Sequence, residues 1–369
     1  MRVDYVMVGG FLGAGKTTVL LRLAEHLSAG GRRVGLITND QSYGLVDTTI
    51  VGSHGYPVRE ITGGCFCCRF NSLTDAAERL TEEAKPDVFL AEPVGSCTDL
   101  RASVQYPLRR LYGDRYRVAP LTVLVDPVRA LRILGLEAGK AFSPKVLYVY
   151  QKQLEEAEII AINKCDLLES ARRTRLQDAM RSAYPDAELL SISARSGAGL
   201  EQWFGRVAGS EGDTRPAPEV DYDVYAEGEA LLGWCNGAFR LRAVEPFDGN
   251  RLVVRIAEKV TGRLAEHELE IAHFKMTLTP DTDLGDVAVL NLVSSDRTPE
   301  LSHLLQDEVT GAELILNLRA EGEPEILRSA VAGGVASVAA EACIRVDTEH
   351  LEHFRPARPS PTYRMPTIV

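Results

Sequence analysis

The chain has 369 residues, 45% hydrophobic, 25% charged and 7% aromatic, the balance of a globular protein with room for about two domains. No stretch approaches the roughly 18 uninterrupted apolar residues of a membrane span, and 31 Gly with 18 Pro are too few for a low-complexity or collagen-like chain. The net charge of −11 is uneven, +1 over residues 1–212 and −12 over residues 213–369, which argues against nucleic acid or an anionic membrane as a partner of the second half.

Met1–Thr18 is apolar but Gly-broken and runs into Lys16, unlike a secretory signal, so the expected compartment is the cytoplasm. From there to about residue 210, short β-branched runs alternate with helical patterns. The predicted strands are Val3–Val8, Val34–Thr38, Val88–Ala91, Leu121–Val125, Ile159–Ile162 and Leu189–Ile192. The predicted helices are Lys16–Ser28, Ser72–Ala84, Asp99–Tyr112, Lys145–Glu156, Ala171–Ala183 and Leu200–Val207. Near-continuous apolar strands alternating with helices imply an α/β fold, a mostly parallel sheet flanked by helices. Gly, Ser and Pro cluster over residues 208–220, so the expected division is a domain at 1–210, a linker at 211–220 and a second domain at 221–369. Beyond the linker the pattern predicts a strand or hairpin near Gly228–Arg242 and a helix from Asn250 to about Glu266. Strands follow at Phe274–Leu278, Val287–Val293 and Leu314–Leu318, then a helix over Glu325–Cys343 and a strand near Ile344–Asp347. That order suggests a smaller α+β domain of ferredoxin-like type, with an irregular tail from Arg355.

Gly10-Phe11-Leu12-Gly13-Ala14-Gly15-Lys16-Thr17 is G-x-x-x-x-G-K-[ST], set between an apolar strand and a helix. Gly10, Gly13, Ala14 and Gly15 would let backbone N–H groups wrap phosphates, with Thr18 beside them in the opening helical turn. Lys16 would reach the β- and γ-phosphates and the Thr17 hydroxyl would hold Mg²⁺. Further hard oxygen ligands are sought at strand ends: Asp40 in Thr38-Asn39-Asp40, and Glu92 in Glu92-Pro93-Val94-Gly95. Lys16, Asp40 and Glu92 form the expected catalytic set; the competing role for either carboxylate is to cap the next helix. No Gln or Arg is obviously placed to position water, so hydrolysis is expected to be slow. Asn163-Lys164-Cys165-Asp166, after an apolar strand, resembles the guanine-recognition N-K-x-D of GTPases, with Ser193-Ala194 matching the short loop that contacts guanine O6; in isolation it could be a helix cap.

Three of the seven cysteines crowd into Gly64-Cys65-Phe66-Cys67-Cys68. Cys65, Cys67 and Cys68 are soft thiolate ligands suited to Zn²⁺ or Cu(I), too tightly spaced for a C-x₂-C structural knuckle. Cys97 could approach as a fourth ligand, and a redox or merely buried cluster is the competing account. In this order, the phosphate loop, G-G-C-x-C-C, E-x-x-G and N-K-x-D resemble the CobW-type metallochaperone GTPases, over about residues 1–210. That family includes zinc chaperones, cobalamin-cluster proteins and nitrile hydratase activators, and is related to the hydrogenase- and urease-maturation GTPases. Residues 38–47 look like its first switch, with Asp40 where Glu is usual. The resemblance implies hydrolysis of Mg-GTP to GDP and phosphate, coupled to release of a transition metal to a client protein. Zinc is the expected metal and cobalt the second candidate, the client docking on the acidic second domain. The alternative is a regulatory GTPase that activates a cofactor enzyme, such as a corrinoid protein, without carrying metal. Pro93 and Val94 stand where the family has small hydroxylated residues, and the family's His-rich loop is missing. His267, His273, His303, His350 and His353 are scattered.

Overall fold

The computed structural model describes residues 2–39, 55–281 and 286–368. Spatial clustering of the backbone divides them into two compact units. The first takes residues up to 39, then 55–228, and regains 358–368 from the far end of the sequence; the second takes 229–281 and 286–357.

The first unit is built on strands β1 (Val3–Gly10), β2 (Val34–Asn39), β3 (Val58–Ile61), β4 (Val88–Glu92), β5 (Tyr116–Val118), β6 (Thr122–Val125), β7 (Ile159–Ile162) and β8 (Glu188–Ser191). Their order is β3-β2-β4-β1-β6-β7-β8, with β5 beside β1, and every pairing is parallel. Seven of the eight residues of β1 are buried, as a central strand covered on both faces requires. Helices α1 (Lys16–Ala29), α2 (Phe70–Ala84), α3 (Tyr106–Tyr112), α4 (Pro127–Ile133), α5 (Pro144–Glu155), α6 (Ser170–Ala183), α7 (Leu200–Val207) and α8 (Tyr222–Leu231) belong to this part of the chain. Leu20, Leu23 and Leu27 of α1 and Trp203 of α7 pack with Val6 and Val8 of β1 in one buried cluster. The Trp203 Nε1–H also donates to Thr122 Oγ1 at 3.0 Å. Register aligns Met7 with Ala91, Thr38 with Glu92, and Ile162 with both Val125 and Ser191. The functional motifs therefore leave one carboxyl edge of the sheet, where such folds bind ligands.

Several elements differ from expectation. The helix predicted over Asp99–Tyr112 opens as a five-residue π turn, Arg101–Gln105, before α3. Pro107 has no N–H for the Ser103 carbonyl, and the turn widens so that Tyr106 N–H reaches Arg101 C=O instead. Of the strand or hairpin expected near Gly228–Arg242 the single strand forms, β9 (Leu232–Phe247), entered directly from the end of α8. β3, β5 and α4 went unpredicted, being at most seven residues long. Asp40, and with it residues 40–47 of the expected first switch, lies outside the described residues.

The second unit follows β9 with α9 (Gly249–Ala265), β10 (Glu270–Pro280), β11 (Ala288–Leu292), β12 (Glu300–His303), β13 (Val309–Glu321), α10 (Pro324–Glu341) and β14 (Arg345–Phe354). Its antiparallel order is β12-β11-β10-β13-β9-β14. Without β11 and β12 this is the split βαββαβ arrangement: β13 lies between β9 and β10, and β14 flanks β9. Phe274, Met276, Leu314 and Leu316 face the apolar stripe of α9 and α10 in its core. No helix among the described residues is long and apolar enough to cross a membrane.

Candidate nucleotide and metal site

The phosphate loop closes because its glycines take backbone angles that side chains resist. Gly10, Gly13 and Gly15 sit at φ 130°, 77° and 92°. A Cβ at Gly10 would lie 2.5 Å from the Leu124 carbonyl oxygen, and one at Gly15 would lie 2.5 Å from Asn163 Nδ2. Lys16 and Thr17 open α1 and are both buried. The Thr17 hydroxyl donates to Glu92 Oε1 at 3.1 Å, so a hydroxyl and a carboxylate meet where the sequence expects a divalent ion. Thr38, paired with Glu92 across the sheet, adds a buried hydroxyl that makes no hydrogen bond among the described residues. This all-oxygen donor set suits Mg²⁺.

Asn163 and Lys164 hold the phosphate loop from behind. Asn163 Nδ2 donates to the Ala14 carbonyl at 2.9 Å, and its Oδ1 accepts from the Ala194 N–H at 3.1 Å. Lys164, with a left-handed φ of 53°, donates to the Gly13 carbonyl at 2.8 Å and to Asp126 Oδ2 at 2.9 Å. Asp166 is the exposed member of the motif, and Ser193 and Ala194 lie buried in the adjoining loop. Asp126 was missed by sequence reasoning. Burial alone would raise its carboxyl, but Lys164, Arg129 and the backbone donors of α4 overcome that and hold it at about 2. Asp126→Ala is expected to free Lys164 and the loop it tethers, weakening affinity for the nucleotide that the sequence leads one to expect there about tenfold, the equivalent of about 1.4 kcal/mol. Titration with a fluorescent GDP derivative reads that change.

The cysteines occupy the turn between β3 and α2. Gly63 and Gly64, at φ 74° and 153°, let it fold back so that Cys68 and Arg69 N–H groups both reach the Cys65 carbonyl. Sγ separations are 2.7 Å for Cys65–Cys67, 3.2 Å for Cys65–Cys68 and 3.6 Å for Cys67–Cys68. Among the described residues this is the one group of three or more His, Cys, Asp or Glu side chains whose ligand atoms lie close enough together to share an ion. The Cys67 thiol is pushed up by hydrogen bonds from Cys65, Cys68 and Cys97 and by burial. Cys68 is pushed up to about 11, chiefly by Cys65. A cation bound here would displace the thiol protons. Asn39, at the end of β2, donates to the Ile61 and Gly64 carbonyls at 2.9 and 2.8 Å, tying the cysteine turn to the sheet edge.

Two further supports were not visible in the sequence. The terminal segment straps the cluster: Ser360 N–H donates to Cys68 Sγ at 3.1 Å, and Thr362 donates to the Cys67 and Cys68 carbonyls at 2.8 and 3.1 Å. Tyr363 stands edge-on to Phe70, and Arg364 pairs with buried Asp99 at 2.9 Å. The second support is Glu156, buried at the end of α5, which accepts from Arg101 N–H at 2.9 Å and Thr98 Oγ1 at 3.2 Å. Burial lifts its carboxyl to about 8 from an ordinary 4.5. Between those values the folded chain keeps a proton that the unfolded chain releases, so the unfolding free energy falls as pH rises through that window. Glu156→Gln should flatten this dependence, being more stable than the parent at pH 8 and similar to it near pH 4; urea unfolding at both pH values checks the sign.

The CobW/HypB/UreG nucleotide-binding domain model matches residues 4–191. The zinc chaperone YeiR of Escherichia coli K12 is 35% identical over 162 residues, 43% of this chain and 46% of that protein. A Sinorhizobium zinc chaperone, CobW, is 26% identical over 202 residues, 49% of this chain and 56% of its own. The chain spans about half the length of these curated relatives. HypB from Helicobacter pylori, solved in complex with nickel, aligns over 55% of this chain and 84% of its own, at 18% identity and a TM-score of 0.41. With more than half of its length matched by that domain, and with the Gly10–Thr17 loop, Glu92 and the Asn163–Asp166 loop set along one sheet edge, the chain belongs to the CobW/HypB/UreG family.

Proposed function

We propose that this chain is a slow GTPase that carries zinc on Cys65, Cys67 and Cys68 and delivers it to a client metalloprotein. The observation that carries the reading is the gathering of three sulfurs within 3.6 Å, on a turn that Asn39 ties to the edge holding the phosphate loop. In this reading the backbone of Gly10, Gly13, Ala14, Gly15 and Thr18 cradles the phosphates of GTP, and Lys16 balances their charge. Thr17 and Glu92 would hold Mg²⁺, with Asp40 as the further carboxylate; when bound, the ion neutralises charge on the transferring phosphoryl group. Asn163 and Lys164 fix the loop, Asp166 accepts from guanine, and Ser193-Ala194 present backbone to O6. GTP becomes GDP and phosphate in the cytoplasm, and the acidic second unit docks the client rather than a nucleic acid or a membrane. Cobalt is the second candidate cargo.

The test is the Zn²⁺ affinity of the reduced, full-length chain, by chelator competition, without nucleotide, with Mg-GDP, and with Mg and a non-hydrolysable GTP analogue. Tighter, one-to-one binding in the GTP-like state is expected. Affinity indifferent to nucleotide would overturn zinc transfer and leave a regulatory GTPase acting on a cofactor enzyme.

A further inference from the structure

The end of the chain meets the first unit in two unlike halves. The far half, residues 364–368, is fastened down. Arg364 pairs with Asp99 at 2.9 Å and donates to the Pro218 carbonyl at 3.2 Å. Met365 N–H donates to the Ala102 carbonyl at 2.8 Å, and the Pro366 carbonyl accepts from Ala217 N–H at 2.8 Å. Met365 and Ile368 pack against Ala102, Tyr106 and Ala217. The near half, residues 358–362, has no such footing. Arg358 pairs with Asp223 of α8, but both side chains are exposed, and such pairs hold little. Every other hydrogen bond of this half among the described residues goes to the cysteine turn. Ser360 N–H donates to Cys68 Sγ at 3.1 Å, Thr362 N–H to the Cys67 carbonyl at 2.8 Å, and the Thr362 hydroxyl to the Cys68 carbonyl at 3.1 Å. What keeps the near half in place is therefore the metal site itself.

Arg358-Pro359-Ser360-Pro361-Thr362 is suited to that contact. Proline has no N–H, so within residues 359–361 Ser360 alone carries a backbone donor, and it is aimed at sulfur. Arg358 and Ser360 each precede a proline, which biases both toward extended backbone and lowers the entropy lost on docking. Cys65 and Cys67 are buried and Cys68 is half-buried, so the sulfur nearest solvent is the one that Ser360 caps. A ligand arriving from outside reaches the site first at that sulfur. A hydrogen bond to a charged acceptor is stronger than one to a neutral acceptor, so this contact tightens when Cys68 becomes a metal-bound thiolate. We propose that residues 358–362 are a lid on the metal site, hinged on the fastened half and latched by the Ser360 N–H on the Cys68 sulfur. Metal loading closes the lid, and the ion is passed on when it lifts. Ser360 is a positioning residue here: its backbone acts through Cys68, and its exposed side chain takes no part. This inference rests on the metal-carrying reading above.

The test uses Co²⁺ as the probe on reduced, full-length chains. The parent is compared with Ser360→Pro, which keeps an extended backbone and removes the donor, with Ser360→Ala, which keeps the donor, and with Cys67→Ser. One-to-one colour in the parent that is lost in Cys67→Ser shows that the cysteines hold metal; a colourless parent would sink the metal-carrying reading and the lid with it. Given that colour, Ser360→Pro should bind cobalt about tenfold or more weakly and release it to excess chelator correspondingly faster. Its sulfur-to-cobalt charge-transfer band should move to longer wavelength, because a thiolate that accepts no hydrogen bond gives up electron density more readily. Ser360→Ala should retain the parent's rate and band. Parent-like release from Ser360→Pro, whether or not the band moves, would overturn the lid and leave the three-cysteine reading standing. Equal losses in Ser360→Ala and Ser360→Pro would overturn the backbone latch. Hydrogen exchange in the parent decides without any variant: zinc should slow the Ser360 and Thr362 amides about tenfold or more relative to the metal-free chain. Equal exchange with and without zinc would overturn the proposal.

Discussion

A chain carrying Asp166→Asn is expected to prefer XTP to GTP. The carboxylate of Asp166 can only accept hydrogen bonds, which suits the N1–H and exocyclic amine of guanine. Asparagine places an amide donor at one of those positions, where the guanine amine then meets another donor. Xanthine carries an oxygen there and restores the pairing. A site built for one donor pattern rejects the mismatched base strongly, by roughly four to five decades where the polar groups are enclosed. Asp166 is exposed at the loop surface, so a loss below that range, about a thousandfold in GTP affinity, is expected, with XTP bound tens of times better than GTP. Asn163 and Lys164 are engaged with the Ala14 and Gly13 carbonyls, so the substitution should leave the phosphate loop intact. Competition of GTP, XTP and ATP against a fluorescent nucleotide measures it. Unchanged GTP preference would mean that Asp166 does not read the base.

Cys67→Ser carries the second large effect. Cys67 is the most buried of the three sulfurs and touches both of the others. A structural zinc ion in a small peptide site is worth about 10–16 kcal/mol, so removal of one thiolate in three or four should cost about 3–4 kcal/mol. That corresponds to zinc affinity weaker by about two to three decades. Guanine-nucleotide affinity without metal should change little, because Cys67 contributes no hydrogen bond to the phosphate loop. A parent-like zinc affinity in Cys67→Ser would point to the redox account, in which the sulfurs exist to pair with one another.

The parts of this molecule that could be read from the sequence are those whose causes are local. Ile159–Ile162 and Leu200–Val207 form where apolar periodicity placed them, to the residue. The phosphate loop announces itself because a tight anion-binding turn needs glycines at fixed spacing, and Cys65, Cys67 and Cys68 because three soft ligands within four residues have few other uses. What escaped depends on partners far apart in the chain. Asp126 meets Lys164 across 38 residues, and Ser360 meets Cys68 across 292. Pro- and Arg-rich residues after Phe354 read as an irregular tail, and irregular they are; nothing in their composition says that their backbone N–H groups will seek sulfur. The motif N-K-x-D brought three residues to one place, but their division, two bracing the loop and one exposed, follows from the left-handed backbone at Lys164.

The strap across the cysteine turn has a bearing on how the chain is made. The cysteine turn leaves the ribosome early, and the residues that cap it follow only after the whole second unit, residues 229–357. Ser360 follows Cys68 by 292 residues, which at about 5–20 residues per second takes roughly 15–60 s. During that interval the first unit can complete its parallel sheet while Cys68 still lacks the Ser360 amide and the Thr362 hydroxyl. Every newborn molecule therefore passes through a stage in which the cysteine turn still lacks the hydrogen bonds that Ser360 and Thr362 later make to it.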